Sequence, residues 1–337
     1  MANQFGRKAS LIISTGTQGL DLSQMRFTFR TECADAQTPN VLIARIFNLK
    51  KETVQKIGTE FTTITLQAGY ENGNFGIIFQ GSIKQTATGR VHSTDSYVDI
   101  WAADGDEWYG FSVISIALKA GQTPEQVINA IQSAPSVNGV DPLPFASDAS
   151  GLIVGGGLGT YLALSRGKTM FGMTRDYARD WSNKYGYSWS IQNGQFVVVP
   201  ITGYRPGEAV VLSSTTGLIG VPEATSGGVR VRALLNPLIR IGCLIQIAQS
   251  DLNQITMQQQ GLNLVAPVAT VTTAAGFYRV LVAEFEGDTR GDAWYVNLTC
   301  LAVDVTAPDQ NNSVSATGLT QGPVEQRQPD GTWKAVT

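Results

Sequence analysis

The sequence predicts a mainly β chain in which two similar β-barrel modules flank a small α/β insertion of helix plus hairpin. Three observations carry that expectation. Strand-like alternation fills residues 10–104 and returns over residues 208–305. Residues 78–104, IFQGSIKQTATGRVHSTDSYVDIWAAD, lie without a gap over residues 278–304, YRVLVAEFEGDTRGDAWYVNLTCLAVD, at a spacing of 200. Each copy offers an apolar strand, a polar turn and a second strand. Val98, Ile100 and Ala102 fall beside Leu298, Cys300 and Ala302, and only Arg90/Arg290, Ala102/Ala302 and Asp104/Asp304 are identical. Between the two stretches, helix-period stripes replace the alternation. The expected organisation is a first β-barrel over 1–108, an α/β insertion with a Gly/Pro-rich loop over 109–203, a second β-barrel over 204–307 and a polar tail over 308–337. Two alike modules in one chain let three copies present six similar surfaces, which is a geometry of assembly.

The elements follow in order. LIIS, MRFTFR, VLIARIFNL, TTITLQAGY, GIIFQGSIKQ and SYVDIWAA are separated by Gly, Asn, Asp and Thr and predict about six strands, with KKETVQKI as one short helix. Asn72-Gly73 predicts a tight hairpin built on positive φ. Thr123-Pro124-Glu125-Gln126 starts a helix, because threonine caps, proline suits the first helical position and glutamine closes a capping box; Val127, Ile128 and Ile131 form its apolar stripe. Residues 133–159 are rich in Pro, Ser, Asp and Gly and predict a structureless stretch. Met170, Met173, Tyr177, Ala178, Trp181 and Tyr185 recur at helical spacing and predict one helix over 167–185 closed by Gly186. YSWSIQNGQFVVVP predicts a hairpin about Asn193-Gly194. AVVLSS, VRVRALL, PLIRIGCLIQI, FYRVLVAEFEGD and AWYVNLTCLAVD then supply the second set of strands. The tail after Pro308 is poor in aliphatic residues and is expected to stay mobile unless a partner holds it.

Composition narrows the function classes. The chain has 337 residues, enough for two or three domains, and its 24 Lys+Arg against 27 Asp+Glu leave a net charge of −3. That balance disfavours a duplex nucleic-acid partner. Charged residues make up only 15% of the chain, so much of the polar surface is Thr, Ser, Gln and Asn, a surface suited to other protein chains. The first residues show no secretory signal and no run of eighteen apolar residues occurs, so the expectation is a cytoplasmically made protein that does not cross a membrane. Cys33, Cys243 and Cys300 lie in apolar stretches and predict buried free thiols.

Motifs that carry chemistry are weak. Gly167-Lys168-Thr169 ends like a phosphate loop, but Leu162 stands where its first glycine belongs. The Gly155–Gly159 run lacks the third glycine of a dinucleotide fingerprint and predicts a flexible loop. His92 is the only histidine and sits in a polar turn. Asp104-Gly105-Asp106-Glu107 and Glu284-Phe285-Glu286-Gly287-Asp288 bring carboxylates together without metal-ligand spacing and predict solvated turns. Arg290-Gly291-Asp292 fills a hairpin turn, Asn297-Leu298-Thr299 lies within a strand, and Trp101, Trp108, Trp181, Trp189 and Trp294 are expected in the core. No catalytic, cofactor-binding or metal residue is expected, and no cofactor.

The order GIIFQGSIKQ, YVDIWAADGDEWY, the helix capped at Thr123, residues 167–185 followed by YGYSWSIQNGQFVVVP, and GLIGVPEATSGGVRVRALLNPLIRIGCLIQI resembles a baseplate hub protein of contractile-tailed bacteriophages over about residues 70–305. Residues 145–160 and the tail have no place in that pattern. The resemblance implies a non-enzymatic virion component of the tail baseplate, assembled in the host cytoplasm. It would be a homotrimer whose tail-tube-like barrels form a pseudo-sixfold ring, adapting the hexameric tail tube protein to the trimeric central spike protein. Other baseplate proteins and the tape measure protein are its further implied partners, and DNA would pass through during ejection. Two alternatives stand beside it: a tail-associated cell-wall hydrolase using Glu284 or Asp106, and a carbohydrate-binding β-sandwich suggested by the Trp and Tyr content.

Overall fold

A computed structural model describes residues 4–15, 18–146, 162–224, 228–247, 276–303, 325–327 and 333–335. The first module contains β1 (Arg7–Thr15), β2 (Gln18–Asp21), β3 (Phe27–Ala34), β4 (Val41–Phe47), α1 (Lys51–Lys56), β5 (Thr63–Tyr70), β6 (Phe75–Arg90) and β7 (Ser96–Ala103). Its strands pair in the order β3-β4-β7-β6-β5-β1-β2. Every predicted strand of this stretch forms, because alternate residues such as Leu42, Ala44 and Ile46 point into one core while Val41, Ile43 and Arg45 point away. The loop 71–74 differs from expectation. Neither Asn72 nor Gly73 has positive φ; four residues leave room for a loop that closes through Tyr70 N–H to Asn74 O at 3.1 Å without left-handed backbone.

The insertion follows as α2 (Asp106–Phe111), β8 (Val113–Leu118), α3 (Pro124–Ser133), β9 (Lys168–Met173), α4 (Thr174–Tyr185), β10 (Tyr187–Gln192) and β11 (Gln195–Pro200). The capping box at Thr123 forms in full, and Val127, Ile128 and Ile131 are buried. The predicted single helix over 167–185 divides. Residues 168–173 pair with β8 as a strand, Gly172 takes φ 146°, which a helix interior excludes, and the helix begins only at Thr174, whose hydroxyl lies 2.7 Å from that of Ser112. Gly186 closes it at φ 72°. Asn193 and Gly194 both adopt left-handed backbone, φ 55° and 74°, as the two-residue hairpin requires. Part of the stretch expected to lack structure is tied down: Phe145 bridges Phe196, and Ala146 N–H donates to Phe196 O. The Gly155–Gly159 loop lies outside the described residues.

The second module contains β12 (Val210–Leu212), β13 (Leu218–Ala224), β14 (Gly228–Leu234), β15 (Leu244–Ile247), β16 (Phe277–Asp288) and β17 (Trp294–Ala302). Its order, β13-β14-β17-β16-β15-β12, repeats the first module strand for strand through β5 and its counterpart β15. The innermost contact differs in sense, antiparallel for β1 with β5 and parallel for β12 with β15. The two modules join edge to edge where β3 pairs with β16, so that one thirteen-stranded sheet runs through both and a single apolar cluster lies beneath it. Of the polar tail, only β18 (Glu325–Arg327) and β19 (Trp333–Ala335) are described, as a separate pair.

The duplication is real, but its register is not the ungapped one. In β6 and β7 a bulge falls at Lys84, opposite Ala102; in β16 and β17 it falls at Leu281, opposite Cys300. The hairpins close through Val91 N–H to Asp95 O and Asp288 N–H to Ala293 O. Lys84 therefore corresponds to Leu281, 197 positions on, and Ala102 to Cys300, 198 positions on. One extra residue in the second turn accounts for the step. Ala102/Ala302 and Asp104/Asp304 are not equivalent, and Asp304 lies outside the described residues.

Candidate assembly surface

Antiparallel pairing puts directly opposed residues on the same face of a sheet. Across β14, β17, β16, β3, β4 and β7, the face turned away from the core shows rows that can be read from the register. Arg232, Asn297, Glu284, Glu32 and Val41 form one, Tyr295, Glu286, Arg30, Ile43 and Trp101 the next, and Asp288, Thr28, Arg45 and Asp99 a third. Shallow hollows mark it, one lined by Ile219, Arg230, Glu284 and Thr299 and another by Arg30, Ile43, Arg45 and Trp101. Five arginines (26, 30, 45, 230, 232) stand there against six carboxylates (32, 99, 223, 284, 286, 288). Arg45 grips Asp99 through Nε and Nη2 at 2.7 and 2.8 Å, Arg26 meets Asp288 at 2.9 Å, and Arg30 lies 3.6 Å from Glu284. Burial raises the carboxyl of Asp288, but the bonds from Arg26 and from Arg290 N–H outweigh it and hold the group below its usual range. The face is broad, polar and close to neutral.

The same small device occurs once in each module. Arg45 on β4 stacks 4.1 Å over the Tyr97 ring and reaches Asp99 two residues farther along β7. Arg232 on β14 stacks 4.4 Å over Tyr295 and donates from Nε to Asn297 Oδ1 at 2.8 Å on β17. Tyr97-Val98-Asp99-Ile100 and Tyr295-Val296-Asn297-Leu298 are the sequence signal for it, at the 198 spacing.

Behind the sheet, a buried polar seam holds the insertion in place. Asp104, expected in a solvated turn, is 1% exposed and accepts the N–H groups of Asn193 and Gly194 at 2.5 and 2.8 Å. The type of turn that Asn-Gly makes presents both donors outward, and the carboxylate at the end of β7 meets them. Burial pushes this carboxyl up to about 6, against the pull of those two bonds and of Asn40. Asn40 adds bonds to Ile191 O and Gln192. On the other module, Arg279 of β16 is buried against Asp35 and donates through Nη1 to the carbonyls of Pro200, Ile201 and Gly203 at 2.7, 2.9 and 2.8 Å. Asp35 also accepts from Ser188 Oγ. The insertion is thus fastened to both modules, by the Asp104 carboxylate of one and the Arg279 guanidinium of the other, beside the bonds of Asn40 and Asp35.

No protein-family model and no curated protein matches the sequence. Solved structures do match its shape. A tail protein from Neisseria meningitidis MC58 superposes with TM-score 0.52 at 9% identity, covering 91% of this chain and 99% of that one. The 43 kDa tail protein of prophage MuSo2 from Shewanella oneidensis gives TM-score 0.50 at 7% identity, covering 90% and 98%. The chain has the fold of phage tail proteins.

Within this tail-protein fold the remaining sequence candidates separate. Asp106 pairs with Lys84 while Glu284 pairs with Arg30 on another hairpin, so the two carboxylates do not share one site. Glu284, Glu286 and Asp288 belong to a strand, not to a turn. Trp108, Trp181, Trp189 and Trp294 are at most 4% exposed, which removes the motive for a sugar platform; Trp101 is half-buried on the outer face. Arg290-Gly291-Asp292 does fill the hairpin turn, where Arg7 donates to the carbonyls of Gly291 and Asp292. His92 is exposed in the equivalent turn, and Lys168 and Thr169 lie in β9. Cys33 and Cys300 are buried free thiols, raised by burial, Cys33 to about 12; Cys243 is partly exposed. Among the described residues no helix is long and apolar enough to cross a membrane, and no three His, Cys, Asp or Glu side chains gather as a metal site.

Proposed function

We propose that this protein is a structural baseplate hub of a phage tail, a homotrimer whose six β-modules form a pseudo-sixfold ring between the hexameric tail tube and the trimeric central spike. The single observation that carries the proposal is the duplicated register: equal strand order, equal bulges and equal Arg–Tyr clamps give each chain two interchangeable wall segments. Residues 1–108 and 204–307 are the tube-like barrels, and 109–203 is the insertion that braces them. The outer sheet face lines the passage. Its balanced arginines and carboxylates suit a conduit, since a wall rich in unpaired cations would bind DNA phosphates by counterion release and retard them. The protein would act without catalysis and reside in the virion tail, assembled in the host cytoplasm beside other baseplate components.

Co-purification of the chain with its tube and spike proteins tests this reading. Threefold particles capping tube ends in electron cryo-microscopy are expected. A chain that stays monomeric and ignores both proteins would overturn it.

A further inference from the structure

The junction between modules within the chain specifies a junction between chains. On β16 the labour is divided: Phe277–Arg279 pairs with β15, and Val282–Asp288, past the bulge, pairs with β3. Its counterpart β6 is divided likewise, with Phe75–Ser82 paired to β5. Past its bulge, however, residues 85–90 pair with β7 on one side only, and no described strand takes the other edge. The counterpart of β3 is β13, which pairs with β14 and has no described strand on its other edge. Among the described residues, one chain therefore carries both halves of the junction it already makes internally, each half without a partner strand.

We infer that the open edge of β13 in one copy pairs antiparallel with the 85–90 edge of β6 in a second copy, repeating the β3–β16 contact from chain to chain. This deepens the ring reading and rests on it. The register transfers directly. Thr28 opposite Asp288 becomes Ile219 opposite Val91, and Arg30 opposite Glu286 becomes Glu223 opposite Gly89, with the β13 bulge between them. Three apolar side chains at these otherwise mostly polar edges are uncovered: Val91 is 47% exposed, Ile219 38% and Val221 53%. Contact between copies would cover them and close two strand edges that otherwise invite unregulated pairing. The contact is heterologous, head to tail, so it generates a ring or a filament and not a twofold dimer.

Val91→Cys and Ile219→Cys, made in separate full-length chains, mixed and oxidised, test the pairing. A cross-linked two-chain band is expected from the mixture and not from either variant alone or from the parent, whose own cysteines serve as the blank. Threefold rings without that band would overturn the edge assignment while leaving the ring. A Val91-to-Val91 band would overturn it too, because it requires a twofold contact, and a monomer would remove both proposals. As a second measurement, Val91→Asp with Ile219→Asp in one chain should raise the concentration at which the particle dissociates by about tenfold, and Val91→Lys with Ile219→Asp should restore it. Circular dichroism of each variant verifies the fold. Equal dissociation of both double variants would contradict the register.

Discussion

The two β-modules agree in strand order and bulge position and disagree in the buried charge each sends to the insertion. The first ends its second hairpin strand in Asp104, where the second module has Ala302; the second carries Arg279 in its long strand, where the first has Ser82. Strand order, bulge and hairpin closure are shared, so the retained feature is the hydrogen-bond register, which sets where each edge and face lies. Side chains behind the sheet have diverged to hold a single insertion asymmetrically. A duplicated frame can be symmetric on the surface that assembles and unsymmetric on the surface that is braced.

The largest effect should come from breaking the second module's fastening. Arg279→Met leaves Asp35 buried without its cation and frees three carbonyls, and about 3–5 kcal/mol of stability should be lost in urea unfolding. A loss below about 1 kcal/mol would mean the insertion does not depend on that anchor.

The first module's fastening should show in pH dependence. Asp104 holds its proton to about 6 in the folded chain against 3.8 when unfolded, so the folded state binds more protons between those values. Its contribution is fully present below about pH 4 and is lost as pH rises through about 6, on the order of 2–3 kcal/mol. The difference in stability between the parent and Asp104→Asn, followed across that window, should carry this slope. Parallel profiles would contradict the burial of a titrating carboxyl there.

The smallest effect compares the paired clamps. Arg45→Ala removes a bidentate ion pair and Arg232→Ala a hydrogen bond to an uncharged amide oxygen, both on an exposed face. Losses of about 1 and about 0.5 kcal/mol are expected, and only the first should shrink as salt is added. Equal salt dependence would contradict the assignment of Asn297 as the neutral counterpart of Asp99.

Much of the fold was legible because alternation and turn chemistry are local. The strands of both modules, the capping box at Thr123 and the Asn193-Gly194 hairpin needed no distant partner. The repeat was visible too, but matching it without a gap favoured two aspartates over the better marker, Tyr97-Val98-Asp99-Ile100 against Tyr295-Val296-Asn297-Leu298, because an extra turn residue shifts the register. Residues 168–173 read as helix from the spacing of their methionines, whereas the edge of β8 decided otherwise. Asp104 and Arg279 were not legible as anchors. Asp104 stands in a run that resembles a solvated turn, Arg279 in an apolar strand, and their backbone partners lie about ninety and eighty residues away.

The central claim is that two modules per chain are interchangeable wall segments of a ring of three. Electron cryo-microscopy of the purified full-length chain tests it most directly: averaged particles should show threefold symmetry, with the density of residues 204–307 superposing on that of 1–108 after about a sixth of a turn. Particles in which no such rotation relates the two segments, or a chain that remains single at high concentration, would contradict it.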